Sequence, residues 1–261
     1  MIPIRLASER LPNKALAEIC GRPVVWHLLD RVCAAKRITA KVDVVVCTTE
    51  ATSDDPLARA VEEYGCSVFR GSSDDIIRRF HDAMASHGFD VVIQADGDDP
   101  LSATEYMDLT LETLLGDPAL DIVTCQGLPL GVATKSLTRA AMQRVFSHYR
   151  TKRNDTGFIY FFTKTTLCRQ RTVSPLSEEH ILDEARLTLD YPEDLEVFKI
   201  IFENLYTPDR PPFDLGLVIR FLQARPDVMA INTGRTEEYW RRTREKAELS
   251  YVDGGGALRH V

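Results

Sequence analysis

Short runs of β-branched residues alternate with longer amphipathic stretches through the first half of this 261-residue chain, and that alternation leaves few folds open. Val42 to Cys47, Asp90-Val91-Val92-Ile93-Gln94 and Asp121-Ile122-Val123-Thr124 read as buried strands, with Ile2 to Ile4 and Ser67-Val68-Phe69 as shorter ones. The segments at about 23–37, 56–64, 74–87 and 102–115 carry helical periodicity. Strands apolar on both sides need helices on both faces, so the expectation is an α/β fold with a mostly parallel sheet. Punctuation agrees. Pro23 and Pro56 suit first helical turns, Asp54-Asp55 offers a cap before Pro56, and Gly65 and Gly116 stand where helices should stop.

After residue 126 the pattern changes. Gly127-Leu128-Pro129-Leu130-Gly131 reads as a loop, followed by a helix near 135–149 and a basic polar stretch from Tyr149 to Asp155. Phe158 to Thr163 is aromatic and reads as a strand, as does Arg186 to Asp190, with a helix at about 192–204. Two further helices are expected in the tail, whose Gly254-Gly255-Gly256 reads as a mobile end. The chain is read as one domain, 1–261. Residues 1–126 form its ligand-binding half, 127–185 a lid or dimer-forming subdomain over the sheet edge, and 186–261 a second acidic site and the C-terminal helices.

A net charge of -7 argues against general binding of nucleic acid or membrane surfaces, which needs a basic face. The six cysteines form no CxxC pair and fit small buried side chains in a reducing compartment. Met1-Ile2-Pro3-Ile4-Arg5 meets a charge at once, unlike a secretory leader, and no apolar run approaches the ~20 residues of a membrane span. The expected compartment is the cytoplasm.

Three segments can carry chemistry. The first strand runs into Arg5-Leu6-Ala7-Ser8-Glu9-Arg10-Leu11-Pro12-Asn13-Lys14, which places three cations and a hydroxyl where open α/β sheets bind ligands. Such a loop can neutralise a polyphosphate, and it can equally be a solvated basic loop; it has neither P-loop nor dinucleotide-fold spacing. Asp96-Gly97-Asp98-Asp99-Pro100 follows a strand with three carboxylates, a set that suits magnesium or a polar turn with a helix cap. Leu187-Thr188-Leu189-Asp190, then Pro192-Glu193-Asp194, repeats the choice, since acidic residues also offset a helix dipole.

Taken in order, Arg5-x-x-Ser8-x-Arg10-Leu11-Pro12-x-Lys14, Gly21-x-Pro23, Val44 to Thr49, Phe69 to Asp75, Asp96 to Leu101 and Leu189 to Leu195 resemble the CMP-sugar cytidylyltransferase family, over roughly the first 205 residues. That family includes 3-deoxy-manno-octulosonate and acylneuraminate cytidylyltransferases, the spore-coat polysaccharide branch and related phosphonate enzymes. The resemblance implies a Rossmann-like three-layer nucleotidyltransferase fold, a homodimer, and transfer of CMP from CTP to a small acidic acceptor with release of pyrophosphate. It implies Mg2+ held by Asp98 and Asp190, a triphosphate held by Lys14 and Arg10, and Arg5 and Ser8 as helpers. Thr48, Thr49, Gly71 and Ser72 match the base-reading positions, with Gln94 and Ala95 nearby and Asp96 near the nucleotide, although Asp96 and Asp99 depart from the family's commoner residues; Glu193 and Asp194 would cap the next helix.

Arg139, Arg144, Arg150, Lys152 and Arg153 form a basic cluster from which acceptor contacts can come, and Arg139, Arg153, Asn154 and Tyr160 are the candidates. Here the family's Arg-His run is replaced by Arg153-Asn154-Asp155-Thr156, so an acidic sugar and a phosphonate both fit. His27 sits in an apolar helix pattern and His81 and His148 on helix surfaces, so no histidine is assigned to catalysis. Two other readings compete. One is a nucleotide-sugar glycosyltransferase using Asp96-x-Asp98 as its metal pair. The other is a CTP-binding protein without turnover.

Overall fold

A computed structural model describes residues 1–151, 157–246 and 249–260. In chain order it begins with β1 (Ile2–Pro3), a small hairpin of β2 (Glu18–Ile19) and β3 (Arg22–Pro23), α1 (Val24–Cys33), β4 (Val45–Thr49), α2 (Asp55–Tyr64), β5 (Ser67–Gly71) and α3 (Ile76–Ser86). β6 (Val91–Gln94), α4 (Thr104–Leu115), β7 (Ile122–Cys125), β8 (Lys135–Thr138), α5 (Arg139–His148), α6 (Tyr160–Thr163) and β9 (Gln170–Val173) follow. The chain continues with α7 (Pro192–Leu205), α8 (Leu215–Ala224), α9 (Pro226–Ala230), α10 (Thr236–Lys246) and the pair β10 (Ser250–Val252) and β11 (Leu258–His260).

The run from Val44 to Cys47 is buried throughout, and the strand period of two sends alternate residues to opposite faces. Val44 and Val46 join a core with Ile2, Leu28, Leu57 and Met107; Val45 and Cys47 join another with Ile77, Phe80, Met84 and Leu137. Helices on both sides of one sheet layer result, as the apolar runs require. β1, β4 and β5 are parallel in the order β1-β4-β5. A second sheet, β6-β8-β7-β9, is mixed, with β8 antiparallel to both its neighbours. The two abut, because the Met1 amine donates to the Ile93 carbonyl at 2.7 Å and the Ala95 N–H to the Met1 carbonyl at 3.4 Å, a parallel pattern. The C-terminal ends of β1, β4, β5 and β6 therefore open on one side.

A third core packs Leu101, Tyr106, Leu187, Leu189, Phe198 and Ile219 between α4, the 182–189 segment, α7 and α8. It presses that segment against the end of β6. Gly131, at φ +97, permits this: a Cβ there would stand 2.2 Å from the Leu187 carbonyl oxygen.

Several expectations change. Lys135–Thr138 is a strand, not the start of a helix, because it pairs with β6 and β7; α5 begins only after Thr138, whose hydroxyl accepts the Ala141 N–H at 3.1 Å. Phe158 to Thr163 is a turn and short helix, which brings Phe158, Phe161 and Phe162 into one core at helical spacing. Arg186 to Asp190 forms no strand and has a single bridge, Leu130 to Arg186. The segment expected as a lid supplies β8 and β9 to the sheet itself. The tail holds α8, α9 and α10, and Gly254 to Gly256 lie in the turn between β10 and β11. All six cysteines are free thiols. Among the described residues no helix is long and apolar enough to cross a membrane.

Candidate active site

The loop after β1 is fixed from beneath by Asp54. Its Oδ1 accepts the Leu6 N–H at 2.8 Å, while Oδ2 accepts the Thr48 hydroxyl at 2.9 Å, the Thr49 N–H at 3.2 Å and the Thr49 hydroxyl. Burial opposes the Asp54 charge, but the bonds from Thr49, Leu6 and Thr48 outweigh it and hold the carboxyl below its ordinary range. The loop closes on itself where the Asn13 N–H reaches the Leu6 carbonyl at 3.3 Å, with Asn13 left-handed at φ 58. This geometry aims Arg10 and Lys14 across the end of the sheet.

Lys14 Nζ lies 3.0 Å from Asp98 Oδ2, 2.9 Å from Asp190 Oδ1 and 2.6 Å from the Leu189 carbonyl. Two aspartates 92 positions apart in sequence thus meet at one ammonium. The backbone brings them there: the Leu189 N–H donates to the Asp98 carbonyl at 2.7 Å. Gly97 lets the Asp96–Asp99 loop lie on β1, since a Cβ would fall 2.1 Å from Ile4 Cγ1. Arg10 adds an ion pair to Asp190 Oδ1 at 2.6 Å and stacks on the Tyr191 ring at 4.9 Å. Burial works against the Lys14 charge, but Asp98 and Asp190 outweigh it and raise its pKa. Burial also opposes ionisation of Asp190, yet Lys14 and Arg10 hold that carboxyl low. Asp98 goes the other way: burial, with Asp190 and Asp96 nearby, outweighs Lys14 and pushes it up.

Behind Asp190 stands a buried network. Asp194 accepts Arg186 Nε at 2.9 Å and Nη2 at 3.1 Å, the Asp190 and Tyr191 N–H groups at 2.8 and 2.9 Å, and Asn232 Nδ2 at 2.9 Å. It therefore does serve the start of α7, as expected, and it also anchors Arg186. Glu193 pairs with Arg235 at 2.6 Å.

The fit to magnesium can be read from these donors. Asp190 Oδ2 is buried without a hydrogen-bond partner, Arg186 being 3.6 Å away. Asp98 and Asp190 offer hard oxygens on either side of one cation position. Among the described residues no cluster of three or more His, Cys, Asp or Glu can hold a metal ion. An ion here would take its remaining ligands from phosphates and water, which is the habit of magnesium. The residues fit it on those terms.

The other candidates divide. Asp96 does not join Asp98; it pairs with Lys135 and accepts Gln94 Nε2 at 2.7 Å. Asp99 is buried, and burial beside Asp98 and Asp96 pushes its carboxyl well up. Ser8 accepts the Leu11 N–H at 3.4 Å within the loop, and Arg5 lies half-buried at its start. Thr48 cannot read a base with its hydroxyl, which is buried on Asp54. Gly71 ends β5 under the Phe69 ring, where a Cβ would stand 2.8 Å from Cε1, and the Ser72 carbonyl accepts Arg79 Nη1 at 2.8 Å.

Of the acceptor candidates, Arg139 is held away from the site. Arg139 Nε donates to the Phe89 carbonyl at 2.6 Å and Nη2 pairs with Asp90 at 3.2 Å, at the opposite end of β6. Tyr160 lies on α6 with the Lys164 ammonium 4.0 Å over its ring. Arg153 and Asn154 lie outside the described residues. His27 is a packed histidine whose Nε2 meets the Ile19 carbonyl at 2.9 Å, and His81 stacks on Phe146 at 3.9 Å.

Asp54, Lys135 and Arg186 were missed as site residues. Asp54 reads as a helix cap, and Lys135 was hidden by reading its strand as helix. Arg186 had a usable signal, a lone cation in an apolar run four residues before Asp190.

The cytidylyltransferase family matches residues 1–196, which carry Arg10, Lys14, Asp98 and Asp190. An uncharacterised protein of Methanocaldococcus jannaschii is 28% identical over 247 residues, covering 94% of this chain and 98% of that one. The 3-deoxy-manno-octulosonate cytidylyltransferase of Pelobacter propionicus is 33% identical over 126 residues; the match spans 48% of this chain and 47% of that enzyme, about half of each. Among solved structures, a cytidylyltransferase from Leptospira borgpetersenii superposes with a TM-score of 0.76 at 24% identity, covering 87% of this chain and 94% of that one. CMP:2-keto-3-deoxy-manno-octonic acid synthetase complexed with CTP does so at 0.59 and 17% identity, covering 77% and 96%. At these identities the structural likeness is one of fold. The match over residues 1–196 establishes that the chain belongs to the cytidylyltransferase family and is a nucleotidyltransferase.

Proposed function

We propose that the protein transfers CMP from CTP to a small acidic acceptor, releasing pyrophosphate, with magnesium held at Asp98 and Asp190. The observation that carries this reading is the meeting of Lys14 with both aspartates, and of Arg10 with Asp190, at the open end of the sheet. An acceptor oxygen attacks the α-phosphorus, the bond from that phosphorus to the β-phosphate oxygen breaks, and pyrophosphate leaves with the electron pair. Arg10, by its planar fork, and Lys14, as a point charge, hold the triphosphate in line and offset charge as it shifts to the leaving group. Bound magnesium would neutralise phosphate charge and lower the pKa of the attacking hydroxyl. Arg186 and the Asp194 network keep Asp190 in place.

An acidic acceptor fits a site whose walls carry Arg10, Lys14, Lys135 and Arg186. The relative from Pelobacter is named for such an acceptor, 3-deoxy-manno-octulosonate. The glycosyltransferase reading is disfavoured because it pairs Asp96 with Asp98, whereas Asp96 is engaged by Lys135 and Gln94. A pyrophosphate-release screen tests the proposal, with CTP, UTP, ATP and GTP set against 3-deoxy-manno-octulosonate, acylneuraminate and small phosphonates. Release is expected with CTP and one acidic acceptor, with CMP recovered on that acceptor and the signal lost in EDTA. CTP binding with no turnover on any of them would favour a silent binding protein instead.

A further inference from the structure

Residues 197–261 lie beyond the family match, and the reaction above draws on them only through Asn232 in the Asp194 network. One of their helices nevertheless lies against the site. On α10, the Tyr239 ring is covered by the Arg186 guanidinium at 4.8 Å, and Arg186 stands 3.6 Å from Asp190. Arg235, just before α10, bonds Glu193 at 2.6 Å and lies 5.1 Å over the Tyr191 ring, the ring that Arg10 also covers. Further along the helix, Arg242 reaches Glu9 of the phosphate loop at 3.8 Å. The helix thus spans from the Asp190 segment to the phosphate loop, the two walls between which Lys14, Asp98 and Asp190 meet.

Among the described side chains, the contacts from α10 to the site are polar: Arg242 with Glu9 and the Tyr239 ring under Arg186. α8 buries Leu215, Val218, Ile219 and Leu222, whereas α10 leaves Trp240 39% exposed. Exposed ion pairs hold a helix far less firmly than an apolar stripe does, so α10 can open at small cost. Tyr239 is half-buried and turned to Arg186. A tyrosine hydroxyl is protonated at neutral pH and can donate.

We propose that α10 closes the acceptor side of the site and that Tyr239 is a site residue, its hydroxyl donating a hydrogen bond to an anionic oxygen of the acceptor. The side follows from the topology: the base-reading loops leave β4 and β5, across β1 from Asp190, while Tyr239 approaches over Arg186. The inference rests on the cytidylyltransferase reading given above.

Tyr239→Phe removes the hydroxyl and keeps the ring under Arg186. In the full chain it should raise the acceptor KM roughly ten- to a hundredfold, the loss of one bond to a charged group, while CTP affinity by calorimetry stays within about twofold. Arg242→Ala, which frees the helix from Glu9, should speed hydrogen exchange of residues 236–246 in the free protein, with 215–224 unchanged. Wild-type acceptor kinetics in Tyr239→Phe overturn the inference and leave the parent reading standing. Failure of wild-type protein to bind CTP overturns both. If CTP binds but no acceptor turns over, exchange of 236–246 with CTP and magnesium decides: slowing by several-fold supports closure, and unchanged exchange refutes it.

Discussion

Replacing Asp194 by alanine should cost the protein more than any substitution at the catalytic pair. Asp194 is fully buried and accepts five hydrogen bonds, two of them from Arg186, whose side chain is 1% exposed. Removing one partner of a buried ion pair costs about 3–5 kcal/mol, mostly for the charge left behind. Two backbone N–H groups and an Asn232 amide lose their acceptor as well, which argues for the upper half of that range. Arg186 can turn to Asp190, 3.6 Å away, and this sets the lower end. For a chain of this size each kcal/mol moves Tm by about 2–4 °C, so a fall on the order of 10 °C is expected. Guanidinium unfolding followed by circular dichroism and by fluorescence measures it, coincident transitions licensing a single free energy. A loss below about 1 kcal/mol at unchanged m would refute the assignment of Asp194 as the anchor of Arg186.

Lys14→Ala should weaken CTP about ten- to a hundredfold by calorimetry, and it also takes from Asp98 the ammonium that it shares with Asp190, which keeps Arg10. Asp98→Asn and Asp190→Asn should each lower kcat by orders of magnitude with an unchanged circular dichroism spectrum; normal turnover in Asp190→Asn would exclude its metal role. Asp54→Asn tests the floor of the phosphate loop through pH. The folded-state pKa of Asp54 lies below its ordinary 3.8, so the stability it contributes is present above 3.8 and is lost as pH falls through the folded value. The variant should trail wild type by about 1–3 kcal/mol at neutral pH, and the gap should close below pH 3.8. A gap that persists in acid would assign the effect to packing.

The parts of this molecule that could be read in advance are those set by local pattern. Val44 to Cys47 announces a strand buried on both faces because it carries no polar residue, and Asp96 to Asp99 announces a strand end because an apolar run stops there. Lys135–Thr138 could not be read, because Lys-Ser-Leu-Thr has too few apolar positions to separate a period of two from one of 3.6. Its strand state comes from β6 and β7, partners more than ten residues away in sequence. Arg139 misled for a related reason. Charge marks surface, but which end of the strand that surface occupies depends on register, and Thr138 opposite Val91 puts Arg139 at the far end. The pairing of Asp98 with Asp190 came from the order of the motifs, since spacing alone said nothing of it.

The charges of the site suggest why a divalent cation belongs to the reaction proposed here. Asp96 is satisfied by Lys135 and Asp194 by Arg186, so both pairs are closed. Arg10 and Lys14 are the cations proposed to hold the triphosphate, and both already pair with Asp190, Lys14 with Asp98 as well. A triphosphate brings further negative charge to the same few ångströms. Lys14 cannot neutralise phosphate and carboxylates at once, because three donors on one nitrogen are taken up by Asp98, Asp190 and the Leu189 carbonyl. For its ammonium to turn to the nucleotide, the two carboxylates need a further counter-charge, and Asp190 Oδ2, buried without a hydrogen bond and only 3.6 Å from Arg186, is an oxygen placed to receive one. CTP affinity should therefore rise with magnesium in wild type and depend far less on it in Asp190→Asn, where one of the two carboxylate charges is gone.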